Sequence, residues 1–167
     1  MNKYVSDMTT TVFIDKFLSG LPNYITCIPS DLINHENNWL IPARVHIPCF
    51  FVVNTSPSDI KHEGHWLLVI IHGRNKIELF DSLAHSKDQL PVEITKFLSK
   101  FKKVVFSSKP IQSPFSNFCG VFVLAKALSV CKTESIEEFY ENFQHDLLYQ
   151  NDSLVIKYIL NNLESVY

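Results

Sequence analysis

Residues 112–124 read QSPFSNFCGVFVL, and the rest of the chain is best understood outward from this stretch. From Cys119 to Cys131 the residues are almost all apolar, which predicts a buried helix. Ser116 and Asn117 stand just ahead of it and are good N-cap residues. Cys119 therefore falls in the first helical turn, where unpaired N–H groups and the macrodipole favour negative charge on a thiolate. A thiolate there is an activated nucleophile, and its own backbone N–H is positioned to bind an oxyanion. The competing reading is a small core cysteine on an apolar helix.

Upstream, three strands are predicted in succession: Cys49–Asn54, Trp66–His72 and Lys76–Asp81. The first two are nearly all apolar, as central strands covered on both faces are. Gly73-Arg74 followed by Asn75 is turn chemistry that closes a hairpin between the second and third. Residues 88–102 alternate at helical spacing, and Lys103–Ser107 reads as a fourth strand. Near the start, Thr9–Leu18 reads as a short helix with Val12, Phe13, Phe17 and Leu18 on its apolar face. Residues 19–48 carry Gly20, Pro22, Pro29, Pro42 and Pro48 and read as an irregular, proline-stiffened segment. Downstream, Thr133 or Ser135 starts a helix with Glu137 and Glu138 in its first turn, and Asn151 or Asp152 caps a last one running to about Glu164. No repeat or composition break divides the chain. The expectation is one α+β domain over residues 1–167, a small mixed sheet flanked by helices.

Composition narrows the function classes. The 167 residues are 46% hydrophobic and 19% charged, which supports one substantial core and excludes a disordered or fibrous chain. A net charge of −2 gives no global attraction to nucleic acid or acidic lipid. The longest apolar runs, such as Trp66–Ile71, fall far below the roughly 20 residues of a membrane helix. The opening MNKYVSDMTT shows no signal peptide, so an intracellular location is expected. Cys27, Cys49, Cys119 and Cys131 are scattered without a CxxC pair, arguing against a zinc site or a disulfide framework. The bland reading of Cys27, Cys49 and Cys131 is small buried hydrophobes.

A cysteine nucleophile needs a base, and seven histidines are available. His65 opens the Trp66 strand and Asp81 closes the third, so an antiparallel hairpin makes them neighbours at one sheet edge. An aspartate so placed can fix the imidazole tautomer and stabilise the imidazolium. The bland alternative is a loop histidine beside a surface aspartate. His72 sits at the opposite end of the hairpin and is a poor partner for Asp81. His62-Glu63-Gly64-His65 superficially matches a zinc helix, but its histidines are three apart rather than four, so no metal is expected. Glycine is scarce, yet Gly64 precedes His65 and Gly120 follows Cys119, which suits close approach of a substrate chain.

These residues carry a resemblance. Val53-Asn54-Thr55, Gly64-His65-Trp66, Phe80-Asp81-Ser82 and the block from Gln112 to Gly120 resemble adenain, the adenovirus-type cysteine endopeptidase. The order His, acid, Gln, Cys is shared by the wider clan that includes the SUMO-specific proteases. The match runs from about Phe50 to Leu128, and its specific part is the Gln-to-Cys block. The resemblance implies the fold of that clan, with Cys119 as nucleophile, His65 as general base, Asp81 orienting His65 and Gln112 as side-chain donor of the oxyanion hole. Adenain-like enzymes often carry Glu where this chain has Asp81, a tolerable exchange of carboxylates. Trp66 reads as a packed strand residue, and Asn54 as ending its strand with a local hydrogen bond. The resemblance further implies cleavage of viral structural precursors beside small residues, Gly above all, in the infected cell or the virion, and no cofactor.

Two rival functions share the pattern. One is an isopeptidase removing ubiquitin-like modifiers. The other is a non-catalytic interaction or nucleic-acid-binding module, favoured by six lysines against two acids over residues 87–109. Lys96, Lys100, Lys102 and Lys103 there read as a solvated face, with weak DNA contact as the alternative. Adenain resembles a switched enzyme, stimulated by DNA and by a peptide that can be tethered through a cysteine lying between acid and Gln. Residues 82–111 here contain no cysteine, so activation through an intermolecular disulfide is not expected.

Overall fold

Strands β2 (Cys49–Asn54) and β3 (Trp66–Gly73) form the centre of the sheet because both can be buried on both faces. They pair antiparallel, with Phe51 opposite Val69 and Val53 opposite Leu67. Alternation then divides their side chains. Phe50, Val52, Leu68 and Ile70 enter one core, whereas Phe51, Val53, Leu67, Val69 and Ile71 enter the other. The computed structural model describes residues 11–33, 47–56 and 64–165. Its sheet has five strands in spatial order β1-β2-β3-β4-β5, where β1 is Tyr24–Pro29, β4 is Lys76–Phe80 and β5 is Lys103–Phe106. The outer pairs are parallel and the inner ones antiparallel, so the sheet is mixed. The β3–β4 hairpin closes through Arg74 and Asn75.

The first core lies under helices α1 (Thr11–Leu18), α3 (Cys119–Cys131), α4 (Ile136–Tyr140) and α5 (Asn151–Asn162). The second is closed by α2 (Val92–Leu98), through Ile94, Phe97 and Leu98. No described helix is long and apolar enough to cross a membrane.

Strand β1 corrects the reading of residues 19–48 as irregular. It is half-buried and lies at the sheet edge between Pro22 and Pro29, where its stability comes from parallel pairing with β2 rather than from its own pattern. The rest of that segment from 34 to 46 lies outside the described residues, as do residues 1–10. The helix expected over 88–102 is instead a 3₁₀ turn (Lys87–Gln89) followed by α2, because Pro91 has no N–H to continue a ladder. The Pro91 carbonyl accepts the first bonds of α2, from the N–H groups of Ile94 and Thr95. Val12 does not join the apolar face of α1: it is 78% exposed, and Ile14 takes the buried position. The α4 helix starts at Ser135, whose side chain and that of Glu138 form a reciprocal capping box.

Helix α3 is buried along residues Cys119 to Val130, including Lys126 at 1% exposure. A buried ammonium requires a partner. Glu78 supplies it: alternation along β4 turns Glu78 to the same face as Phe80, and its Oε1 lies 3.1 Å from Lys126 Nζ. His72 Nε2 meets the other carboxylate oxygen at 2.9 Å, and Lys126 also lies over the Phe139 ring. Burial raises the Glu78 pKa, but bonds from His72 and Lys126 outweigh it and hold the carboxyl below its usual range. Glu78→Gln should therefore strand the ammonium and lower Tm on the order of 10 °C. Adding Lys126→Met should restore most of that loss. Calorimetry of both variants checks this, and an unrecovered double variant would show that the pair is not the cause.

Candidate active site

Three element ends converge at one edge of the sheet. His65 immediately precedes β3, Asp81 immediately follows β4, and Cys119 is the first residue of α3. The hairpin register sets Leu68 opposite Phe80, which brings the start of β3 beside the end of β4. His65 Nε2 lies 2.6 Å from Asp81 Oδ1. With Nε2 so engaged, Nδ1 is left to meet the Cys119 thiol, with which the imidazole is hydrogen-bonded. Backbone clamps hold the ring: His65 N–H donates to Thr55 Oγ1, and Thr55 N–H donates to the His65 carbonyl. Gly64 enters this clamp at φ +110°, and a Cβ there would collide with Asn54 Oδ1 and Ser56 Oγ. The fold thus supplies an internal reason for glycine at 64. Gly120 is buried within α3.

Burial pulls the His65 pKa down, but the bonds to Asp81 and Cys119 outweigh it and raise it to about 9. Burial pushes Asp81 up, but His65 and the N–H groups of Leu83 and His85 bring it down to about 2. Asp81 is thus ionised and accepts only.

Gln112 sits in the loop before α3, and the fold fixes its orientation. The N–H groups of Ile111 and Gln112 both donate to the Ser82 carbonyl, beside Asp81. The Ile111 carbonyl accepts from the fully buried Asn151 of α5. At the side chain, Gln112 Nε2 donates to the Ser116 carbonyl at 2.7 Å. A carbonyl can only accept, so the amide orientation is unambiguous, and the Ser82 hydroxyl donates to Oε1 at 2.6 Å. The amide nitrogen carries a second N–H besides the one given to Ser116. The Cys119 N–H lies in the first turn of α3, where helical N–H groups have no intrahelical acceptor. An imidazole between a thiol and a carboxylate, with such donors nearby, can deprotonate the thiol and stabilise an oxyanion.

Ser116 does not serve as the N-cap expected of it. Phe118 takes that position, while Ser116 Oγ accepts the Phe118 N–H and donates to Asp152 of α5. Trp66 is packed in the core, and Asn54 Oδ1 accepts the Ser56 N–H as a strand-end bond. His72 pairs with Glu78 rather than Asp81. The histidine that the sequence reading missed is His85, whose backbone N–H and Nδ1 both bond Asp81 Oδ2, at 2.9 and 2.7 Å. An Asp followed four residues later by His across a turn is the only local signal of it. His65, Asp81 and His85 are the one group among the described residues whose donor atoms are close enough for a metal ion, but those atoms already hydrogen-bond one another. His62 lies outside the described residues. A cleft of about 400 Å³ opens beside these rings, lined by Thr55, His65, His85, Gln89, Leu90 and Pro91.

No protein-family model matches the chain, and no curated protein matches it by sequence. Among solved structures it is similar to the ASFV pS273R protease, at 15% identity and a TM-score of 0.55, over 87% of this chain and 66% of that one. It is also similar to SUMO protease Ulp1 with its catalytic cysteine oxidised to a sulfinic acid, at 17% identity and a TM-score of 0.49, over 98% of this chain and 88% of that one. The likeness to the ASFV protease shows a shared fold.

The pKa directions define a pH window for the His65–Asp81 pair. His65 is raised from 6.5, so its contribution is full below 6.5 and is lost as pH rises through about 9. Asp81 is lowered from 3.8, so its contribution is full above 3.8 and is lost as pH falls through about 2. The Tm deficit of Asp81→Asn should be largest between 3.8 and 6.5 and shrink on both sides. Thermal melts across pH check this, and a deficit independent of pH would show that the two groups are not coupled.

Proposed function

We propose that this chain is a thiol endopeptidase that cleaves protein substrates beside glycine. The observation that carries the reading is the His65 imidazole, held by Asp81 on one side and hydrogen-bonded to Cys119 at a helix N-terminus on the other. In this reading Cys119 gives its proton to His65 Nδ1, and its sulfur adds to the substrate carbonyl. The oxyanion is met by the Cys119 N–H and the remaining N–H of Gln112 Nε2. His65 then protonates the departing amine, leaving a thioester. Water, deprotonated by His65, hydrolyses it and frees the thiol. Asp81 holds the tautomer and stabilises the imidazolium throughout.

The resemblance of the Gln112–Gly120 block to adenain supports structural precursors of a virus as substrates, cut in the infected cell or the particle. Weak DNA contact remains part of the proposal through Lys96, Lys100, Lys102 and Lys103, all exposed around α2 and β5. A salt-independent affinity for DNA, or none, would remove that element.

The other thiols make the central test clean. Burial pushes Cys27 up to about 12 and Cys131 up to about 11, and it raises Cys49 as well, so all three stay protonated near neutrality. A peptide vinyl sulfone ending in Gly should label Cys119 alone, read by mass spectrometry of the adduct. Cys119→Ala should fold normally and lose all turnover of glycine-containing peptides. Labelling spread over the other cysteines, or a Cys119→Ala variant that still cleaves, overturns the proposal. Hydrolysis of a ubiquitin-like conjugate but not of short peptides would assign the site to an isopeptidase instead.

The buried Cys49 and the half-buried Cys27 and Cys131 are poorly placed for exchange with a partner thiol. Initial rates with candidate activating peptides should therefore be the same with and without a non-thiol reductant. An activator that needs its own cysteine and fails on reduction would contradict this.

A further inference from the structure

We propose that His85 is a positioning residue of the catalytic pair: it locks the Asp81 carboxylate so that Oδ1 is held toward His65. This rests on the protease reading above. Asp81 stands just beyond the end of β4, where the ladder no longer restrains it, so its carboxylate plane must be set by hydrogen bonds. Oδ1 accepts from His65 Nε2 and from the Leu83 N–H. Oδ2 accepts twice from one residue, the backbone N–H and Nδ1 of His85. A carboxylate with both oxygens saturated in this way has one orientation. With the His85 side chain gone, Oδ2 keeps a single backbone donor.

The local chain is shaped for this role. The Ala84 N–H closes a turn onto the Asp81 carbonyl, and Ala84 lies at φ +52°, which swings His85 back over the carboxylate. Because ionised Asp81 can only accept, the proton of His85 must sit on Nδ1. Nε2 is then the nitrogen left to the cleft, and the His85 side chain is 32% exposed against 14% for His65. The two rings meet at 72° with centroids 5.2 Å apart, so His85 also forms one wall of the cavity that holds His65. Hydrogen bonding and ring packing are therefore both candidates for its contribution. The hydrogen bond from Nδ1 to Oδ2 is the one that acts.

Three variants separate the two. His85→Asn retains a donor near the position of Nδ1 without the ring, whereas His85→Phe retains a ring without the donor. His85→Ala removes both. The expected result is a fall in kcat of about 10- to 100-fold for His85→Phe and His85→Ala, with KM unchanged and most of kcat kept in His85→Asn. The second readout does not depend on turnover. Proton NMR should show the His65 Nε2–H bonded to Asp81 as a downfield, slowly exchanging signal in the unaltered protein and in His85→Asn, broadened or lost in His85→Phe. If His85→Phe behaves as the unaltered protein while His85→Asn fails, the ring acts by packing and the proposal is wrong. If all three match the unaltered protein in both readouts, His85 positions nothing. A protein that shows the NMR pattern but cleaves no peptide would sink the protease reading and leave the positioning role standing.

Discussion

Helix α3 is apolar around almost its whole circumference, and a helix of that kind must be covered from every direction. The sheet face formed by β3 lies on one side of it, with α1, α4 and α5 completing the cover. This requirement determines where everything else goes. The helix cannot tilt or slide without opening voids in a close-packed interior. Its first residue, Cys119, is consequently held at the sheet edge where β3 begins and β4 ends. A thiol at the end of a rigid, buried element needs little further restraint, and the chain invests its polar side chains in orienting the groups around it.

Those polar groups form one connected system rather than separate pairs. Asp81 and Ser82 are consecutive, and they divide the work. Asp81 takes His65 and His85 on its two oxygens, while Ser82 holds Gln112 by carbonyl and hydroxyl together. His65 and Gln112 are thereby referenced to one dipeptide at the end of β4. Asn151 and Asp152 at the start of α5 anchor the same loop from the far side, through Ile111 and Ser116. The charged groups deeper inside follow the same logic: Lys126 is tolerated in α3 only because β4 presents Glu78 to it.

Much of this was legible in the sequence because it is local. The bounds of β2 and α3 and the β3–β4 hairpin follow from short-range apolar patterning and from the Gly73–Asn75 turn, which neighbouring residues dictate. The approach of His65 to Asp81 also follows, since antiparallel pairing converts sequence position into proximity. The sequence narrowed the start of α4 to Thr133 or Ser135, and the structure places it at Ser135.

Other features were decided only by tertiary contacts. Strand β1 has no pattern of its own strong enough to announce it and exists by pairing with β2. The exposure of Val12 depends on which face α3 occupies, not on the periodicity of α1. His85 and Ser82 carry no residue-type signature, and Ser116 and Asn151 read only as helix caps, because the partner a hydrogen-bonding side chain takes is not set locally. Local sequence specifies which backbone forms a segment prefers and which faces want burial. The packing of distant segments against α3 then decides which polar atoms are left without water and must find one another.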